Sequence, residues 1–191
     1  MSNGTLAKVT AKKAAEVCQR FALPDEAKPL VREEMTPQEF LDLLVEKQQY
    51  YTAISFLAHA LPKREAIWWS LQCARAVAGA APAPVVATAL QVAEKWVANP
   101  SEDFRRPAVP AWEAATLGTP AGCVAAAVAF TGGSLGPPNV PTIPPGDYAP
   151  ALAAAGAVML AAVADPLKID AALVRFLGLG RDVASGVSTW K

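Results

Sequence analysis

The chain is poor in the residues that do chemistry. Histidine occurs once, at His59, among 191 residues. A general base needs a positioned acid or nucleophile beside it, and no local spacing here supplies one. One histidine also leaves too few ligands for an ordinary metal site. Cysteine occurs three times, at Cys18, Cys73 and Cys123, with no C-x-x-C spacing and no disulfide framework, so three reduced, buried thiols are expected. Charge of either sign is not in excess: 17 basic and 17 acidic side chains cancel. Without a net field, nucleic acid is a poor partner. Strand-type alternation is missing as well, because apolar residues recur at spacings of three and four rather than two.

What the chain has in plenty is alanine, 41 of its 191 residues. Alanine is the strongest helix former, and so many small side chains imply helices in close approach. An all-α fold follows: one multi-helix bundle-like domain of about eight to nine helices with a long Pro/Gly-rich loop. Charge is unevenly spread, since 26 of the 34 charges lie at or before Glu113 and none lies between Ala114 and Gly146. Tyr148 to Ala164 is an uncharged run of 17 residues, short of the ~20 that span a bilayer and built of weakly lipophilic alanine and glycine. It reads as a buried helix, and no membrane span is expected. Glu16 interrupts the N-terminal apolar stretch, so a cleaved signal is not expected and a cytoplasmic location is.

Caps and breakers divide the chain. Residues 1–34 read as an N-terminal helix (Ala11 to Phe21) and connector, 35–180 as the main helical domain, and 181–191 as a tail. Thr36, Pro37 and Glu39 form a capping-box start for a helix to about Glu46. Further helices are expected over Gln49 to Ala60, Lys63 to Ala80 and Val85 to Ala98. A turn capped by Ser101 precedes one from Val109 to Leu117. Thr119-Pro120 opens a small-sided helix to Phe130, placed at the centre of the bundle. Asp147 to Val163 follows, and Asp165 with Pro166 opens the last helix, to about Gly180.

Several local patterns invite chemistry and fall short of it. Thr131-Gly132-Gly133-Ser134-Leu135-Gly136 has the glycines of a phosphate loop but lacks the Gly-Lys-Ser/Thr ending and any preceding strand. Glu33-Glu34 and Glu102-Asp103 are adjacent acids that point to different helix faces. The pair Trp68-Trp69 is more informative, because consecutive helical residues stand about 100° apart and both cannot face one core. One ring is left for a boundary or an interface, where tryptophan concentrates binding energy.

Three segments together carry a family resemblance. They are Leu57-Ala58-His59-Ala60-Leu61-Pro62-Lys63-Arg64-Glu65-Ala66 running into Trp68-Trp69 and Cys73-Ala74; Trp96-Val97 with Arg105-Arg106; and Ala129-Phe130-Thr131-Gly132-Gly133-Ser134-Leu135 followed by Pro137-Pro138 and further prolines. Over Met35 to Gly180 the chain resembles a family of small bacterial proteins of unassigned domain type. Members are encoded, among other settings, in type VI secretion operons beside the adaptors that load an effector onto the PAAR-tipped spike. Thr131 stands where that family's pattern has a second aromatic, and Pro107 and Pro110 interrupt a helix that is unbroken there.

The resemblance implies a non-enzymatic adaptor or co-chaperone. Its partner would be an effector-loading adaptor, an effector or a PAAR-type spike protein, with no cofactor. Lys63, Arg64, Trp69, Gly132, Gly133, Ser134, Leu135, Pro137 and Pro138 are the expected contact residues. The competing expectations are a helical enzyme built around His59 and a membrane-associated component.

Overall fold

The small-sided segment after Thr119 forms the centre of the molecule. A computed structural model describes residues 5–136 and 139–190. Among them are ten α-helices, one 3-10 helix and no strand, which is the all-α fold expected. The helices are α1 (Ala14–Cys18), α2 (Pro37–Glu46), α3 (Tyr50–Ala60), α4 (Lys63–Ala78), α5 (Pro84–Ala98), α6 (Glu102–Arg105), α7 (Ala108–Ala115), α8 (Pro120–Ala129), α9 (Ala149–Ala162) and α10 (Ile169–Ser185). The 3-10 turn is Lys28–Leu30.

In α8 every residue from Ala121 to Ala129 is buried, since α4, α5, α7 and α9 all pack on it. A helix apolar all round is stable only when it is enclosed in this way. Gly122 shows how close the approach is: a Cβ there would lie 1.8 Å from the carbonyl oxygen of Thr116. Thr116 itself has φ 63 with ψ 151, a positive φ rare for a β-branched residue. Thr119 fixes the turn, accepting from Gly122 N at 3.0 Å and donating to Ala115 O at 2.8 Å. The uncharged run beginning at Tyr148 becomes α9, 14 residues long. At about 1.5 Å per residue it falls well short of a ~30 Å hydrocarbon layer. No helix among the described residues is long and apolar enough to cross a membrane.

The other side of the core uses larger side chains. Helix α2 starts as read, with Thr36 Oγ1 accepting from Glu39 N at 3.2 Å and the Glu39 carboxylate answering at Thr36 N, 2.8 Å. Phe40 and Phe56 meet edge to face at 5.0 Å, and Arg181 of α10 pairs with Asp42 of α2 at 2.6 Å. Helix α10 differs from expectation at both ends. The Asp165 side chain accepts from Leu167 N at 3.1 Å, closing a turn two residues on instead of capping a helix, so α10 begins after Lys168. It then runs through Gly178 and Gly180 to Ser185, where Gly186 ends it in the left-handed conformation.

Candidate functional site

The glycine loop is organised by a charged clamp. Arg105 is buried; its Nε and Nη2 donate to the two oxygens of Glu102 at 2.6 and 2.7 Å, and its Nη1 donates to Ala129 O at 2.7 Å. Nη2 also reaches Ser134 O at 3.2 Å, and Arg106 Nη1 donates to Gly136 O at 3.0 Å. The hydrogen bond from Arg105 is the main reason that the Glu102 carboxyl is held below the usual carboxylate range. Gly133, at φ +64, passes so close that a Cβ would stand 2.6 Å from Arg105 Nη2. Carbonyl oxygens therefore face the guanidinium groups, an arrangement that orders a loop and offers an anion no cradle of amides. Ser134 Oγ accepts from Gly136 N and Ile143 N, each at 3.1 Å, and Leu135 N donates to Ile143 O at 2.9 Å. Pro137 and Pro138 lie outside the described residues.

Lys63 and Arg64 tie elements together within the chain. Lys63 Nζ donates to Thr131 O at 2.9 Å, next to the end of α8. Arg64 donates from Nε to Val97 O at 2.7 Å and from Nη2 to Ala98 O at 2.9 Å, satisfying the last carbonyls of α5. Of the two tryptophans, Trp69 is the one enclosed: it has no exposed surface, and its indole N–H donates to Phe176 O at 2.8 Å. The expectation of Trp69 as a contact residue is corrected on this point. The space for its ring is made by Gly180, whose Cβ would fall 2.7 Å from Trp69 Cε2. Trp68 is the half-buried member of the pair.

His59 is buried in an aromatic setting, stacked on Phe21 at 5.0 Å with Tyr148 at 6.2 Å. Its Nδ1 donates to Ser55 O at 2.7 Å, and Arg20 Nη1 donates to the His59 carbonyl oxygen at 2.9 Å. Burial, the larger cause, and the nearby Arg20 hold its pKa below the ordinary value, against the opposing pull of the Ser55 carbonyl. Among the described residues the hydrogen bond that the imidazole makes is the one to the Ser55 carbonyl, not one to a carboxylate or hydroxyl. Among the described residues no group of three or more His, Cys, Asp or Glu is placed to hold a metal ion. Burial raises the thiol pKa at all three cysteines, to about 11 at Cys18, which favours the protonated thiol over the nucleophilic thiolate at neutral pH.

A feature the sequence did not announce lies at the far end of α4. The end of α4, the start of α5, the start of α8 and the end of α9 enclose an open groove of about 490 Å³. Its lining, including Val77, Pro82, Val86, Leu160 and Val163, contains no ionisable side chain among the described residues. Val77 and Val163 remain 37% and 39% exposed. The signal was present in the uncharged segments and in the breakers Gly79, Pro82 and Pro84, but only the fold brings four helix ends to one place.

A family model described as "Family of unknown function (DUF6931)" matches residues 40–184. The chain belongs to DUF6931. The DUF6931 segment contains the clamp, Lys63, Arg64, both tryptophans and the whole groove; it ends before residues 186–190, which follow α10. No curated protein and no solved structure matches the chain.

Proposed function

We propose that this DUF6931 chain is a non-enzymatic adaptor or co-chaperone that binds a partner protein, and that it serves the loading of a type VI secretion effector onto the PAAR-tipped spike. The binding role is carried by one observation, the apolar groove at the ends of α4, α5, α8 and α9, with no ionisable group in its lining. Solvent-open apolar surface is kept where a partner covers it. A groove without charge suits the apolar face of a partner helix, which contributes no unpaired polar group on burial. Of the residues first expected to make contact, Trp69 fills the core, Lys63 is bonded to Thr131 O beyond the end of α8, and Arg64 spends the edge of its guanidinium on the last carbonyls of α5. The secretion setting draws on the resemblance carried by the His59-to-Trp69 segment and the glycine loop.

The test is recovery of the tagged chain from its native host, with partners identified by mass spectrometry. The expected result is an effector, an effector-loading adaptor or a PAAR-type spike protein, lost when Val77→Asp places a charge in the groove. Recovery of a different partner through the same groove would retain the binding role and remove the secretion setting. Recovery of none, or recovery indifferent to Val77→Asp, would overturn both.

A further inference from the structure

A second surface on α4 is already occupied, and its occupant shows what it accepts. After Gly186 the chain reverses: Val187 N and Ser188 N both donate to Asp182 O, at 2.9 and 3.0 Å. Residues 186–190 then lie along α4. Ser188 Oγ accepts from Trp68 Nε1 and donates to Gln72 Oε1, each at 3.3 Å. The Trp190 ring packs 4.0 Å beneath the Arg64 guanidinium. Because Arg64 spends its edge on Val97 O and Ala98 O, its face is fixed and presented to an aromatic ring, the geometry that favours cation–π contact.

The segment does not fill its seat well. Both serine contacts, at 3.3 Å, are longer than the usual range for such bonds. Gln72 Nε2 is buried with no hydrogen-bond partner among the described residues. Beside Trp190 a cleft of about 330 Å³ remains, walled by Trp68, Glu94, Val97 and Ala98. The seat, moreover, belongs to the DUF6931 segment, which covers residues 40–184, while its occupant lies beyond it.

We infer that the cleft between α4 and the end of α5 is a docking site for a short extended segment of a partner protein, and that residues 186–190 close it in cis. The segment it fits carries a serine or threonine two positions before an aromatic residue. The hydroxyl bridges Trp68 and Gln72, the ring stacks under Arg64, and a backbone carbonyl in a better-fitting segment pairs with Gln72 Nε2. This deepens the adaptor reading but uses a surface separate from the apolar groove. A tail closed most of the time lowers apparent affinity by the fraction of open molecules, so a tail closed nine-tenths of the time weakens binding about tenfold.

The experiment uses the full chain and a fluorescein-labelled peptide with the sequence of residues 185–190, followed by anisotropy. The Trp190→Ala chain is expected to bind the peptide at least about tenfold more tightly than the unaltered chain. Adding Arg64→Lys or Gln72→Leu to Trp190→Ala should abolish that gain, with circular dichroism confirming that each variant is folded. A Trp190→Ala chain that binds no better than the unaltered one overturns the inference, as does a gain untouched by both added substitutions. Light scattering adds one more outcome: a dimer of the unaltered chain that Trp190→Ala dissociates would mean that the seat is filled by a second copy's tail, which overturns docking of a foreign segment. Failure here leaves partner recovery through the Val77 groove to be judged separately, so the two readings can fall independently.

Discussion

Around α8 and α9 the helices close mainly on alanine, with Val124, Val128 and Val158 among the few larger buried side chains, whereas around α2, α3 and α10 the core is filled by Phe40, Phe56, Leu57 and Phe176. The two regions exclude water equally well and by opposite means. In the first, backbones approach until Gly122 has no room for a methyl group. In the second, rings and branched chains hold the helices apart. Interiors of either kind reach similar density, but they fail differently. The large-chain region is harmed by removing atoms and the alanine region by adding them. Helix α4 belongs to both, with Trp69 against α10 on one side and Ala74 and Cys73 enclosed in the core.

Removal from the large-chain region should have the largest effect. Trp69→Ala empties the space beside Leu57 and Gly180 and leaves Phe176 O without its indole donor, so a loss of about 3–5 kcal/mol is expected. Urea unfolding followed by the remaining tryptophans measures it, and a loss under about 1 kcal/mol would show that this region collapses easily and that the contrast is false. Addition to the alanine region comes next. Gly122→Ala would set a methyl 1.8 Å from Thr116 O; since that neighbour is backbone, the turn must shift, at about 1–3 kcal/mol. A neutral or stabilising Gly122→Ala in the same assay would contradict the close approach.

One site joins the two rules. Gly180 is a glycine inside a helix because Trp69 and Leu57 press on it, at 2.7 and 2.6 Å from where a Cβ would be. Gly180→Ala should destabilise the chain with Trp69 present and cost less in Trp69→Ala, where Leu57 Cδ2 still stands 2.6 Å from the added methyl but can move into the vacated space, and alanine's better helix propensity offsets part of the cost. A double-mutant cycle should give a coupling of about 0.5–2 kcal/mol. Strict additivity would mean that the ring does not determine the glycine.

Much of this was legible locally and some could not have been. Thr36, Ser101 and Thr119 accept the backbone bonds that their cap positions implied, because a cap and its partners lie within three residues. Asp165 resembled those caps but turned its carboxylate to the amide two positions on, and both outcomes are open to Asp before Pro. The choice between Trp68 and Trp69 was not local at all: it depends on Gly180 and Phe176, more than a hundred residues away. Lys63 and Arg64 looked available for a partner because their actual acceptors are main-chain carbonyls of Thr131, Val97 and Ala98, which no side-chain pattern records. The central position of α8 was readable from its small residues, but the groove beside it needed four helix ends brought together.

The smallest effect is a pH dependence at the junction of the two regions, where His59 lies between Phe21 and Tyr148, the residue that leads into α9. Its pKa is lowered in the folded chain, first by burial. The folded state therefore takes up this proton less readily than the unfolded one, whose imidazole titrates near the ordinary value of about 6.5. Well above that pH both states are neutral and the group contributes nothing. As pH falls through that value the unfolded state is protonated first, and stability declines until the folded imidazole also gains its proton. One proton limits the slope to about 1.4 kcal/mol per pH unit. His59→Gln, which keeps a donor for Ser55 O, should flatten the urea midpoint between pH 7 and pH 5 relative to the unaltered chain. An imidazole titrating above its ordinary value by NMR, or a midpoint equally steep in both proteins, would show that the junction is open to water and that the large-chain region does not seal against α9.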